Sequence, residues 1–261
     1  MKEKENDKMK VPEDRNRILT VIGILGLLIF AALFVYGVMN NSDRQTTSRT
    51  EDTISQNLEE KKKLGTIVLD AGHGGADGGK VGINQALEKD INLSLSIILK
   101  QVLEEKGFEV IMTRETDENL GDADAKNKKM EDLKRRVEII ERADPFMVVS
   151  IHQNSYTEES VSGAQVFYYK GSENGRNLAQ CIQSSILRNV EMEKQREIKE
   201  NDNYYLLKNT ENTMVIVECG FLSNRKEADL LIQPQYQQKM ADAIAEGILE
   251  YYCKCEETGE D

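Results

Sequence analysis

The stretch Thr66-Ile67-Val68-Leu69-Asp70-Ala71-Gly72-His73-Gly74-Gly75 decides the fold. A short run of β-branched and aliphatic residues stops at a carboxylate, a glycine and a histidine. It reads as a buried strand that ends in a turn and presents an imidazole at its tip. Two more runs have the same form. Phe146-Met147-Val148-Val149-Ser150-Ile151 ends in His152, and Met214-Val215-Ile216-Val217 ends in Glu218. The chain has only two histidines, and both stand at such strand ends.

Working outward, a glycine-rich loop, Gly72 to Gly82, follows the first strand. A helix is expected from about Glu88 to Lys106, with Ile91, Leu95, Ile98, Leu99 and Val102 at helical spacing and Gly107 as its stop. Phe108 to Thr113 reads as the next strand. Strand, helix and strand in this order make a βαβ unit, hence a parallel pair with a right-handed crossover. Polar residues Arg114 to Lys129 read as a loop, and Met130 to Ala143 as a second helix with Leu133, Val137 and Ile140 on one face. Beyond His152, Gly163 to Tyr169 reads as a strand, placed at an edge, and Asn177 to Asn189 as a helix. Tyr205 to Lys208 reads as a short strand, and two helices are expected near Lys226–Ile232 and Pro234–Tyr252. The expected fold class is α/β: a single domain, residues 64–253, with a mostly parallel, mixed sheet and helices on both faces. A polar tail, 254–261, follows it.

Ahead of the domain, residues 1–17 are polar and carry Arg15 and Arg17. Ile18 to Met39 is apolar, and residues 40–63 are a polar tether. The apolar run is long enough to cross a bilayer as one transmembrane helix, longer than the 7–15 residues usual in a cleaved signal, and lacks an A-x-A site. It is expected to be an uncleaved signal anchor. The positive charge before it then puts residues 1–17 in the cytoplasm and the domain outside. The formal net charge of −12 speaks against nucleic acid as a partner. The four cysteines make no C-x-x-C pair, and Cys253-x-Cys255 is a weak signal.

In an open parallel sheet, ligands bind beyond the carboxyl ends of the strands. His73, His152 and Glu218 can converge there. Imidazole and carboxylate suit Zn²⁺, and a catalytic zinc takes three protein ligands and keeps one open position. Glu88, at the start of the helix after the glycine loop, is the best third ligand. Glu218 would then be the general base. Blander readings stand beside these. A single strand-end histidine is more often hydrogen-bonded than ligating, and Glu88 in a first helical turn suits the helix dipole anyway. Glu218 is harder to dismiss, because a carboxylate ending a buried strand is costly unless paired or reached by solvent. Cys219 as a nucleophile has no spare histidine, and the glycines lack the Gly-Lys-Ser/Thr of a phosphate loop.

At this point the chain resembles the zinc-dependent N-acetylmuramoyl-L-alanine amidases of the type 3 class. The resemblance lies in Val68 to Gly75, Glu88-Lys89-Asp90-Ile91-Asn92-Leu93, Thr113-Arg114, Ser150-Ile151-His152-Gln153-Asn154 and Val217 to Asn224. It implies zinc ligands at His73, Glu88 and His152 and a catalytic glutamate at Glu218. The implied reaction is hydrolysis of the amide between the muramic acid lactyl group and the first L-alanine of peptidoglycan. It also implies a sheet of about six strands. One departure is Ile140-Glu141, where the family often has Ala-Asn. Arg114 and Arg136 match arginines read as structural or substrate-orienting. Gly163 to Tyr169 and Tyr204 to Lys208 are similar to the sporulation and germination subgroup, which implies stem removal for muramic δ-lactam formation in spore cortex. The expected partners are peptidoglycan and the membrane, through the N-terminal helix, with room for an activating protein. Two other functions stay open: a catalytically inactive wall-binding domain, and a zinc peptidase cutting within the stem.

Overall fold

The structure is a computed structural model that describes residues 64–122 and 124–259. The expected cytoplasmic segment, transmembrane anchor and tether all lie outside the described residues. Among those described, no helix is long and apolar enough to cross a membrane.

The elements run β1 (Thr66–Ala71), α1 (Glu88–Glu105), β2 (Glu109–Met112), α2 (Lys128–Ala143), β3 (Met147–Asn154), β4 (Gln165–Tyr169), α3 (Glu173–Asn189), β5 (Lys199–Asn201), α4 (Tyr205–Asn209), β6 (Met214–Phe221), α5 (Arg225–Leu231) and α6 (Pro234–Thr258). They form one six-stranded sheet in the order β2-β1-β3-β6-β4-β5. Every neighbouring pair is parallel except β4 with β6. The α/β class, the mixed sheet and the six strands agree with the reading of the sequence.

Chain order places the site. From β1 the chain passes through α1 to β2 on one side, then returns through α2 to β3 on the other. The direction of winding reverses between β1 and β3, and such a switch point opens a crevice at the strand ends. β6 lies next to β3 in parallel register, with His152 opposite Glu218.

Alternation along the strands divides the core into two layers. Ile67, Leu69, Val149, Val215 and Val217 pack on the large side, under α1, α3 and α6. Val68, Val148 and Ile216 face the smaller layer with Ile140, Leu206 and Leu207. Helices therefore cover both faces. The strands β1, β3 and β6 are buried on both sides, which is why they read as largely apolar runs.

Three local readings need correction. Tyr205 to Lys208 is not a strand; it lies in the short helix α4. Leu206 and Leu207 both bury against the sheet, and a run this short carries no period to separate the two states. The Gly163 to Tyr169 strand is not at an edge, because Lys199–Asn201 pairs outside it in parallel. Lys-Glu-Asn has no apolar pattern to announce a strand. Finally, α6 takes in the first half of the expected tail. Nothing stops the helix before Gly259, which caps it at φ 69 and donates its N–H to the Cys255 carbonyl.

Candidate active site

The site begins with the way β1 ends. His73 has φ 63, unusual for a residue with a side chain, and Gly74 and Gly75 are also positive. The chain turns sharply and leaves carbonyls pointing inward. Two buried arginines take them. Arg114 donates to the carbonyls of Ala71 (2.9 Å), Gly72 (3.0 Å) and Lys89 (2.9 Å). Arg136 donates to the carbonyls of Ala71 (2.9 Å) and His73 (2.6 Å) and to the carboxylates of Asp70 (2.6 Å) and Asp132 (2.7 Å). Asp70 also accepts from Thr113 Oγ1 at 2.8 Å and Ser150 Oγ at 2.6 Å. Burial alone would raise the Asp70 carboxyl; the Arg136 guanidinium and the Ser150 hydroxyl outweigh it and hold the group at about 2. The network is fully buried and charge-matched, so both arginines act as scaffold for the turn.

On this turn the expected residues meet. Glu88 Oε1 lies 3.2 Å from His73 Nε2 and 3.0 Å from His152 Nδ1. Its carboxylate does not cap its own helix. Oε1 instead accepts from the Gln153 N–H at 3.2 Å, and Oε2 from the Lys80 N–H at 2.8 Å. Burial opposes ionisation of Glu88, but the imidazoles of His152 and His73 beside it hold it well below the usual carboxylate range. Asn92, one turn along α1, donates to the Gly72 carbonyl at 3.1 Å and accepts from Gln153 Nε2 at 3.1 Å, tying helix, loop and β3 together.

Two glycines of the loop make the space. A Cβ on Gly72 would stand 2.3 Å from the His152 ring. A Cβ on Gly79, itself at φ 68, would stand 2.5 Å from Glu88 Oε2 and 2.8 Å from His73 Cδ2. The glycine-rich loop thus wraps side chains of this protein rather than a phosphate.

One ligand atom each from His73, Glu88 and His152 can lie within 4.8 Å of the other two. The set fits a small divalent cation: two ligands at about 2.0–2.1 Å in tetrahedral geometry stand roughly 3.4 Å apart, close to the separations seen. Two imidazoles and a carboxylate suit zinc and leave a fourth position free.

Glu218 sits beside this set, on β6 next to His152. It is buried, yet its Oε2 has no hydrogen-bond partner. Oε1 receives a long contact, 3.4 Å, from the Tyr204 hydroxyl. Burial pushes its carboxyl up to about 7; His152 opposes the rise and Glu88 adds to it. Such a group takes and returns a proton near neutral pH. Cys219 points into the core, and burial raises its thiol, so it is no nucleophile. Glu218, Glu88 and both histidines line one cavity of about 330 Å³, with Lys80 and Tyr204 among its other walls.

The sequence reading assigned no role to Asp77, Asn92, Gln153 or Tyr204. Asn92 was findable, since it stands four residues after Glu88 on the same helical face. Tyr204 had no such signal, because it reaches the cleft from the turn between β5 and α4.

Comparison with known proteins agrees with this geometry. Residues 67–250 match the family described as N-acetylmuramoyl-L-alanine amidase. A germination-specific N-acetylmuramoyl-L-alanine amidase of Bacillus subtilis (strain 168) is 37% identical over 241 residues, covering 91% of this chain and 96% of that protein. The CwlD amidase of Clostridioides difficile, solved in complex with the GerS lipoprotein, superposes with a TM-score of 0.71 at 42% identity, covering 73% of this chain and 99% of that one. The amidase AmiC2 of Nostoc punctiforme gives 0.63 at 33% identity, with 72% and 97% covered. With its fold and its His-Glu-His cluster beside a buried glutamate that has one unpartnered oxygen, the chain belongs to the N-acetylmuramoyl-L-alanine amidase family, hydrolases of peptidoglycan.

Proposed function

We propose that this protein is a zinc-dependent amidase that strips stem peptides from muramic acid in spore cortex, so that muramic δ-lactam can form. His73, Glu88 and His152 hold the zinc, and Glu218 is the catalytic residue. The observation that carries the reading is the meeting of Glu88 Oε1 with an imidazole nitrogen of each histidine at 3.0–3.2 Å, beside a buried carboxylate oxygen left without a partner.

Zinc, when bound, supplies a Lewis acid that polarises the amide carbonyl and makes water more acidic. The remaining work belongs to the chain. Glu218 accepts a proton from the attacking water as the new C–O bond forms at the lactyl carbonyl. It passes that proton to the departing nitrogen as the C–N bond breaks. The products are a lactyl carboxylate and the free amino terminus of L-alanine. Tyr204 contacts one Glu218 oxygen, and the other is buried without a hydrogen-bond partner. The intact set of four residues favours this reading over an inactive wall-binding domain.

The cortex assignment is supported by the germination-specific relative, whose match is longer than the domain itself and so runs into the N-terminal segment. We place that segment in the membrane, with residues 18–39 as anchor and the domain on the extracytoplasmic side. A lipoprotein bound to the Clostridioides relative supports a protein partner here as well.

The test is digestion of purified cortex peptidoglycan by the full-length chain in mild detergent, with and without zinc, read by mass spectrometry. Stem peptides with an L-alanine amino terminus, beside peptide-free muramic acid, are expected only with the metal. Cuts within the stem would support the peptidase instead, and no cut by a zinc-loaded chain, with or without a partner, would support the inactive domain.

A further inference from the structure

The glycine loop holds a carboxylate that lies outside the expected ligand set. Asp77 Oδ2 lies 3.0 Å from His73 Nδ1, on the side of the ring away from Glu88. Its other oxygen accepts from the Gly79 N–H at 3.1 Å. The Asp77 backbone is paired in both directions with Gly74, each bond 3.0 Å. The carboxylate is therefore fixed from both sides and cannot swing away without opening the loop. Lys129 Nζ, 3.7 Å away, is its outer neighbour.

From this geometry we infer that Asp77 is a positioning residue of the metal centre: it holds the His73 proton on Nδ1 and so presents Nε2, as a lone pair, to the ion. The inference rests on the metal-centre reading above. Both ring nitrogens of His73 face a carboxylate, which can only accept; with an ion taken by Nε2, the Nδ1 facing Asp77 is the nitrogen left to carry hydrogen in a neutral imidazole. Nε2 then faces Glu88 Oε1 at 3.2 Å, acceptor to acceptor. Two lone pairs repel at that distance unless a cation lies between them. By fixing the tautomer, Asp77 makes an ion the group that satisfies this gap. Arg136, on the carbonyl of the same residue, fixes the backbone. The ring and the main chain of His73 are thus held by separate partners, and changing Asp77 leaves the arginine scaffold in place.

The experiment compares full-length wild type, Asp77→Ala, Asp77→Asn and His73→Ala. Zinc affinity is measured by competition with a chromophoric chelator, the metal-free melting temperature by circular dichroism, and the two histidines by long-range ¹H–¹⁵N NMR of the zinc-loaded chain. Asp77→Ala is expected to bind zinc about 10–100-fold more weakly with an unchanged metal-free melting temperature. Asp77→Asn keeps an acceptor without the charge, so a smaller loss is expected. In zinc-loaded wild type, His73 should show a protonated Nδ1 and a coordinated Nε2. Wild-type affinity in Asp77→Ala would overturn the inference, and so would coordination of wild-type His73 through Nδ1. If Asp77→Ala does not fold, the near-isosteric Asp77→Asn decides, and undiminished affinity there overturns it. Should wild type bind no zinc, the metal-centre reading fails and the inference falls with it, whereas zinc bound equally well by wild type and Asp77→Ala overturns the inference alone. His73→Ala, expected to lose the ion, calibrates the assay.

Discussion

Glu218 combines burial, a free oxygen and a carboxyl near neutrality, three properties that stability alone would select against. Glu218→Ala or Gln is expected to lower kcat by about 10²–10⁴ with zinc content unchanged, as measured by single-turnover hydrolysis and metal analysis. A near-normal rate would remove its assigned role. If Glu218 works as a base, as proposed, activity should fall as pH drops through its titration. A bound cation would stabilise the carboxylate, so the acid limb of the pH–rate profile is expected at or below about 7. An acid limb well above that value would contradict the assignment. Asp70 has the opposite sign. Its folded value of about 2 lies below the ordinary 3.8. It therefore contributes stability that is full above about pH 4 and is lost as pH falls toward 2, roughly 2 kcal/mol in all. Asp70→Ala would leave Arg136 with one carboxylate in a buried site. A loss of about 3–5 kcal/mol in urea unfolding is expected, and a loss below 1 kcal/mol would show the network to be dispensable.

At the scale of elements, the strands that build the site were legible because they are buried on both faces. Each apolar run ended at a residue of the proposed site, so His73, His152 and Glu218 marked their own positions. Glu88 was picked out by its place at the start of the helix after the glycine loop and by the family resemblance; its partners in space lie across the sheet, where no spacing reveals them. The strand β5 and the helix α4 were not legible. The first is three polar residues paired through backbone alone, and the second is too short for a period. The glycine loop shows how chain geometry and chemistry meet. Gly79→Ala adds about 1–2 kcal/mol of backbone strain at φ 68 and drives a methyl group into Glu88 and His73. The expected result is at least a tenfold loss of zinc affinity by chelator competition, with the melting temperature lowered by a few degrees. Unchanged affinity would mean the loop relaxes away from the site.

Across the whole molecule, the site lies at one end of a sheet whose larger core is sealed by α1, α3 and α6. There α3 and α6 approach so closely that a Cβ on Gly247 would stand 2.5 Å from Ile182 Cα. Glycine costs this helix about 1 kcal/mol of propensity against alanine, and close packing is what it returns. Gly247→Val should therefore destabilise the fold by about 1–3 kcal/mol or more in thermal unfolding, while activity per folded molecule stays normal. A matching loss of specific activity would show that this packing reaches the cleft. The arginine scaffold beneath His73 has a consequence for the order of assembly. Its bonds run from side chains to carbonyls and carboxylates of the chain itself, and none of them needs an ion. If the proposed metal centre forms, the turn that carries its first ligand can thus be complete before any metal arrives. A protein built this way would fold first and be armed afterwards, and the supply of the ion, rather than the synthesis of the chain, would time the first cut.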